Sequence, residues 1–439
     1  MCLGAFVVGK FLNRNSKVES LTYAQLLRRN RSFRRLFSGQ VISELGNWFN
    51  FIAALGMVRV VSNAAAEVTT LLLISRLVPF TLFGPLAGAF VDRWSRRTVM
   101  IVTDLLRVGI ALAFLLVDGP EDLWIAYVAT GLLSIFTAFF EAAKNAAVPN
   151  ITGEQDLLAG NALMFSSRFL FMSLGAALGG WTSDRVGYDA AFVINAISFL
   201  ASAYSVWLVP DREMQQYPTA VTETQPAKIY SGYWTSIREG WRYIVAHGAV
   251  ALILATNIVW AIGGGAANLI ADRLGALVFA GENGVSADSA VAALYFASGI
   301  GLFLGMMVAR RVGIYFEVKR RTLGFIGWSL VAQGIAFALI GVMPTLWWAC
   351  VMMCLSRAII GAEFAVQETL LMRLVPDKLR GRVSTTDRAA EMMVWALSTA
   401  AAGWSLQLIS ERTLTIVAGL VSGVAGVMWL VVTRRGLPE

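Results

Sequence analysis

The sequence predicts an all-α integral membrane protein of twelve transmembrane helices, arranged as two parallel six-helix repeats. Three observations predict it. The 439-residue chain is 57% hydrophobic and only 15% charged, where a soluble domain carries about a quarter of its residues charged. Apolar stretches of about 20 residues, enough for a helix to cross a ~30 Å hydrocarbon core, recur twelve times. Landmarks of the first half also return in the second at a near-constant interval. Val148-Pro149 returns as Val375-Pro376, Gly180-Trp181 as Gly403-Trp404 and Arg97-Thr98 as Arg321-Thr322, while Glu141 and Glu368 each precede their proline by eight residues. Repetition of this kind marks two related bundles.

In chain order, residues 1–36 form an N-terminal segment whose amphipathic stretch sets Leu26, Leu27, Phe33, Leu36 and Phe37 among five arginines. This stretch is expected to lie along the membrane surface with its arginines on anionic headgroups. Its first twelve residues lack a small-residue cleavage site and do not read as a removable signal. The first bundle, 37–210, holds apolar segments near 37–61, 68–91, 98–117, 123–146, 158–182 and 188–209. A polar linker, 211–246, follows, and Tyr230 to Ile244 in it reads as an amphipathic helix bearing Trp234, Ile237, Trp241 and Ile244 on one side. The second bundle, 247–433, holds segments near 247–271, 288–309, 321–342, 346–373, 380–406 and 412–433. A tail, 434–439, ends the chain.

Charge sets the orientation. Of the 36 lysines and arginines, 27 fall in the even-numbered connections, their flanks and the termini, while the opposite face carries Arg59, Arg185, Arg273 and Arg412. The arginine-rich face is expected to be cytoplasmic, with both termini on it. The net charge of +8 thus serves topology, and no nucleic-acid partner is expected. A lone histidine, His247, and cysteines only at positions 2, 350 and 354 offer no metal site. No phosphate-cradling GxxxxGK loop is present, so ATP is not expected as the energy source. No nucleophile–base set points to an enzyme, and no cofactor is expected.

Charges inside apolar segments need a partner or a cavity, at about 3 kcal/mol or more for each one left alone. Asp104 with Arg107, and Arg388 with Glu391, stand three apart and can pair within their helices. Arg168 and Arg357 lie too deep to reach water along their stems. Arg168 and Glu391 hold equivalent positions of the two repeats, which suggests a cavity with one cationic and one anionic wall. Glu44, Asn47, Trp48 and Phe51 share one helical face. Gly84/Gly88, Gly175/Gly179 and Gly301/Gly305 predict close helix contacts.

The stretch Gly84 to Arg97, GPLAGAFVDRWSRR, resembles the signature between helices 2 and 3 of the major facilitator superfamily. Gly88, Asp92, Arg93, Arg96 and Arg97 fill its places, and Ser95 stands where a glycine is usual. With REGWRYIVAH after the linker and VPDKLRGRVS before helix 11, it is similar to bacterial macrolide-type drug exporters and siderophore exporters. Two departures are Ala176, where the antiporter signature of helix 5 has proline, and a helix 4 without the arginine of many proton-coupled exporters.

The resemblance implies a central cavity between the bundles and proton-driven export of amphipathic or hydrophobic molecules from the inner or plasma membrane by a monomer. Helix 1 lines that cavity in the superfamily, so Glu44 is the first candidate proton carrier and Glu363 the second. Asn47, Trp48, Phe51, Arg168, Arg357 and Glu391 are the candidate cavity residues. In the outward-open state the superfamily's loop latches helix 2 to helix 11, which brings Asp92 to Arg382 or Arg388. Expected partners are a small-molecule substrate, protons and lipids. Organic-anion uptake or exchange, or a non-transporting sensor or lipid-handling protein, remain alternatives.

Overall fold

The computed structural model describes residues 23–91, 93–215 and 229–437. The N-terminal residues 1–22, Asp92, the linker stretch 216–228 and the last two residues lie outside the described residues, and with them the latch carboxylate.

The first half consists of α1 (Tyr23–Arg29), α2 (Arg31–Val61), α3 (Ala66–Val91), α4 (Arg96–Ala113), α5 (Leu123–Arg185) and α6 (Tyr188–Trp207). The second comprises α7 (Ile229–Ala246), α8 (Gly248–Gly264), α9 (Ala267–Arg273), α10 (Ala287–Val318), α11 (Thr322–Ile340), α12 (Leu346–Leu374), α13 (Asp377–Ser405) and α14 (Glu411–Val432). α5 makes two crossings, while α8 and α9 together make one. Among the described residues eleven segments are long and apolar enough to cross a membrane. The twelfth crossing is α13, whose charges Arg380, Arg382, Asp387, Arg388 and Glu391 hide it from hydropathy.

The fourth and fifth segments are two crossings, as expected, and within α5 they meet at a kink where Pro149 lacks an amide donor and Gly153 takes φ +70°, a conformation that a side chain resists. The apolar face of the N-terminal amphipathic stretch packs on the first bundle, and Arg28, Arg29, Arg31 and Arg34 remain exposed. Asn30 caps α2, its side chain accepting from the Phe33 amide at 2.8 Å, and this breaks the stretch into α1 and the start of α2. Leu26, Phe33 and Leu36 are buried in protein, packed with Phe140, Val148 and Met164. The linker helix α7 buries Ile244 but leaves Trp241 exposed.

The apolar core divides unequally. Towards the arginine-poor end one cluster joins both halves, running from Phe51, Ile52 and Leu55 through Leu269 and Leu274 to Leu294. Towards the arginine-rich end there are two separate clusters, one around Phe33 and Phe140 and one around Leu252, Ile326 and Trp429. The halves are therefore joined at one end and parted at the other.

Glycines mark the close contacts. A Cβ on Gly175 would lie 2.7 Å from Trp48 Cβ, and Cβ atoms on Gly301 and Gly305 would lie 2.3 Å and 2.1 Å from the carbonyl oxygens of Cys354 and Ala358. Among the described residues the expected contact at Gly84 and Gly88 does not form, since nothing lies within 4 Å of a Cβ built on either. Both sit on α3 towards the end where the halves part.

Candidate functional site

At mid-depth a cavity of about 310 Å³ opens between the halves. The helical spacing of Glu44, Asn47, Trp48 and Phe51 puts all four on its wall, α3 contributes Arg76, and α5 contributes Arg168 and a stripe of Thr130, Ser134 and Thr137. The second half supplies Asn268, Trp395 and Thr399. The wall is thus mostly first-half, which the repeat symmetry did not foretell.

Glu44 and Arg168 face each other, Oε1 to Nε, at 3.7 Å, and the Trp48 indole N–H donates to the same Glu44 oxygen at 3.3 Å. The Arg76 guanidinium stands 3.9 Å from the centre of the Phe51 ring and 5.1 Å from that of Trp48. Phe51 meets Trp48 and Tyr295 edge-on at 5.3 Å and 5.5 Å, an arrangement worth about 0.5–1.5 kcal/mol per pair beyond simple burial. The Trp395 indole donates to the Gly265 carbonyl at 2.7 Å, which fixes its ring on the wall.

Three expected site residues do not line this cavity. Arg357 is buried beneath Phe337, its guanidinium 5.3 Å from the ring centre. Glu391 is turned into α13's own ion pair with Arg388, at 3.0 Å, so Arg168 meets Glu44 and the opposed cationic and anionic walls do not form. Glu363 is buried inside the second half, and its Oε1 has no hydrogen-bond partner among the described residues. The other intrahelical pair forms as the spacing predicts: Asp104 and Arg107 bond to each other, with Arg107 held between the Phe140 and Phe199 rings.

The arginine-poor end is closed by charges read from the sequence only as topology markers or not at all. Arg59 of α2 binds both Asp272 of α9 and Asp288 of α10, and all three are buried. The Tyr188 hydroxyl donates to Asp288 at 2.8 Å. Gly56 makes room for this meeting, since a Cβ there would lie 2.6 Å from both the Asp288 carboxylate and the Tyr188 ring. Alongside, Arg273 binds the Ala64 carbonyl and Glu411, and Gln407 donates to Glu67 at 2.8 Å. The available signal was that Arg59, Asp272 and Asp288 each fall near the arginine-poor end of an apolar run.

At the opposite end the described part of the signature loop holds its own half. Arg96 and Arg97 donate to the Met214 and Trp207 carbonyls beyond and at the end of α6, where a helix terminus favours cations. The Ser95 hydroxyl donates to Asp211 at 2.7 Å, and Arg93 is exposed. Arg382 pairs with Glu239 of α7 and Arg388 with Glu391, so neither is engaged with the loop among the described residues.

Two helical bundles around a mid-depth cavity closed at one end define a multi-pass membrane transporter fold. The profile of the Major Facilitator Superfamily matches residues 36–384, and the chain belongs to that superfamily. It is 28% identical over 223 residues to the uncharacterized MFS-type transporter YfiS of Bacillus subtilis, a match covering 50% of each chain. It is thus aligned with only about half the length of such relatives. It is 21% identical to macrolide efflux protein A of Streptococcus pyogenes, over 73% of this chain and 76% of that one. A POT family transporter solved in complex with a thioalcohol conjugated peptide superposes with a TM-score of 0.72 at 12% identity, covering 92% of this chain and 96% of that one. That likeness is one of fold.

Proposed function

We propose that this transporter works by alternating access and exports an amphipathic or hydrophobic small molecule across the cell membrane in exchange for protons. The observation that carries the reading is the mid-depth cavity beneath a buried charge tie between the halves, with the core split at the other end. This is the geometry of a site presented to one side at a time. The excess of basic residues at the parted end supports a cytoplasmic setting for that side and for both termini. Cargo would then enter the cavity from within the cell, and the similarity to macrolide efflux protein A supports the outward direction. The protein acts as a monomer, with lipid around it and no enzymatic step.

Glu44 is the proton carrier best placed to sense cargo. A proton on its carboxylate releases Arg168, and loss of that proton recaptures it, so protonation and the electrostatics of the wall change together. Glu363, away from the cavity and short of one hydrogen-bond partner, is the second carrier. Transport in inverted membrane vesicles tests both. Glu44→Gln is expected to abolish accumulation driven by a proton gradient while leaving downhill exchange of cargo. If Glu44→Gln and Glu363→Gln both keep gradient-driven transport, neither carboxylate is the carrier.

A further inference from the structure

We infer that the cavity's ligand is an amphipathic organic acid, its anionic group seated on Arg76 and its apolar body on Phe51 and Trp48. The inference rests on the reading of this cavity as the transport site and narrows its substrate class. Three charged side chains line the cavity: Glu44, Arg76 and Arg168. Glu44 is matched by Arg168 at 3.7 Å. Arg76 has no carboxylate within ion-pairing distance among the described residues, which leaves the wall with one positive charge in excess.

A cation held at mid-membrane needs compensation. The rings beneath Arg76 supply only part of it, since a cation over an aromatic face is worth about 0.5–2 kcal/mol. The guanidinium lies over these rings while lining the cavity, which keeps it within reach of a ligand there. A planar fork of N–H donors matches carboxylate, sulfonate or phosphate oxygens in paired, charge-assisted hydrogen bonds; an ammonium has no acceptor to offer, and a neutral ester accepts without the charge or the second equivalent oxygen. Nearby, Asn50 lines the same cavity, and its buried Oδ1 has no hydrogen-bond partner among the described residues. It offers an acceptor for a ligand hydroxyl or amide beside the acid group. A cationic ligand would meet Arg76 and Arg168 together, with only Glu44 in its favour.

Equilibrium dialysis of the intact protein in lipid nanodiscs, corrected with empty nanodiscs, tests this with three probes sharing one apolar body: 2-naphthoate, its methyl ester and 2-naphthylmethylamine. The expected result is naphthoate binding at least about tenfold tighter than either of the others. R76Q erases that preference, R76K keeps part of it, and E44Q strengthens naphthoate binding by freeing Arg168. Ester or amine binding as tight as naphthoate in the native chain overturns the assignment of an acid and leaves the transport site standing. So does a preference undiminished in an R76Q protein of native melting temperature. Absence of saturable binding by all three probes counts against the cavity as a ligand site, and the present inference falls with it.

Discussion

Replacing Arg59 by glutamine should unfasten the arginine-poor end. Arg59 is 6% exposed and binds two carboxylates of the other half, Asp272 at 0% and Asp288 at 9% exposure. Its removal leaves two like charges buried together. Breaking a buried pair from one side costs about 3–5 kcal/mol, and the cost falls on the closed state alone, because parting the halves returns both carboxylates to water. At the lower bound of about 3 kcal/mol, the balance between closed and open ends moves roughly 150-fold. The assay is thiol labelling at Thr70→Cys in a chain whose three native cysteines are alanine. Thr70 is 6% exposed, and a Cβ on Gly403 of the other half would lie 2.1 Å from its hydroxyl. A membrane-impermeant maleimide should react slowly with the parent and far faster with Arg59→Gln. Adding Asp272→Asn and Asp288→Asn, which removes every charge of the tie, should restore slow labelling. Unchanged labelling in the single variant would show that the shared apolar cluster holds this end closed without the ions.

Two further variants test the fold. Gly153→Ala places a Cβ at φ +70° and ψ 171°, a region kept almost entirely for glycine, and should lower stability by about 1–3 kcal/mol, read as a fall in melting temperature in detergent without loss of secondary structure. Arg107→Met leaves Asp104 alone and buried, and should destabilise by about 3–5 kcal/mol, whereas Arg107→Met with Asp104→Leu should recover most of the loss. Melting of the two variants and the parent in parallel checks the recovery.

The sequence was informative wherever the physics is local. Hydrocarbon length, arginine asymmetry and the repeat led to the crossings, and helical spacing put Glu44, Asn47, Trp48 and Phe51 on one wall and paired Asp104 with Arg107. What escaped it depends on which helices meet. Arg59 lies 213 and 229 residues from its two carboxylates, and no periodicity connects them. Arg76 stands inside the apolar segment 68–91, but its setting over Phe51 is made through space. The absent contact at Gly84 and Gly88 has a different cause: a small-residue step shows that helices can approach, and the conformation decides whether they do. Glu391 misled because equivalence in a repeat does not require both copies to face the same cavity, and Arg357 because a deep arginine can be met by an aromatic ring, here Phe337, rather than by a cavity.

The composition of α13 bears on how the protein is made. Each central charge costs about 2.5–3.5 kcal/mol on insertion scales, and α13 carries several. In the finished protein Arg388 and Glu391 neutralise each other, while the Asn257 amide of α8 donates to Asp387 at 3.1 Å. The first remedy travels with the segment, but the second exists only after α8 is in the bilayer. Synthesis order supplies it, because α8 emerges well before α13. Insertion of α13 is therefore a tertiary event, completed against helices already in place, and a chain lacking α8 should strand its eleventh crossing at the membrane surface.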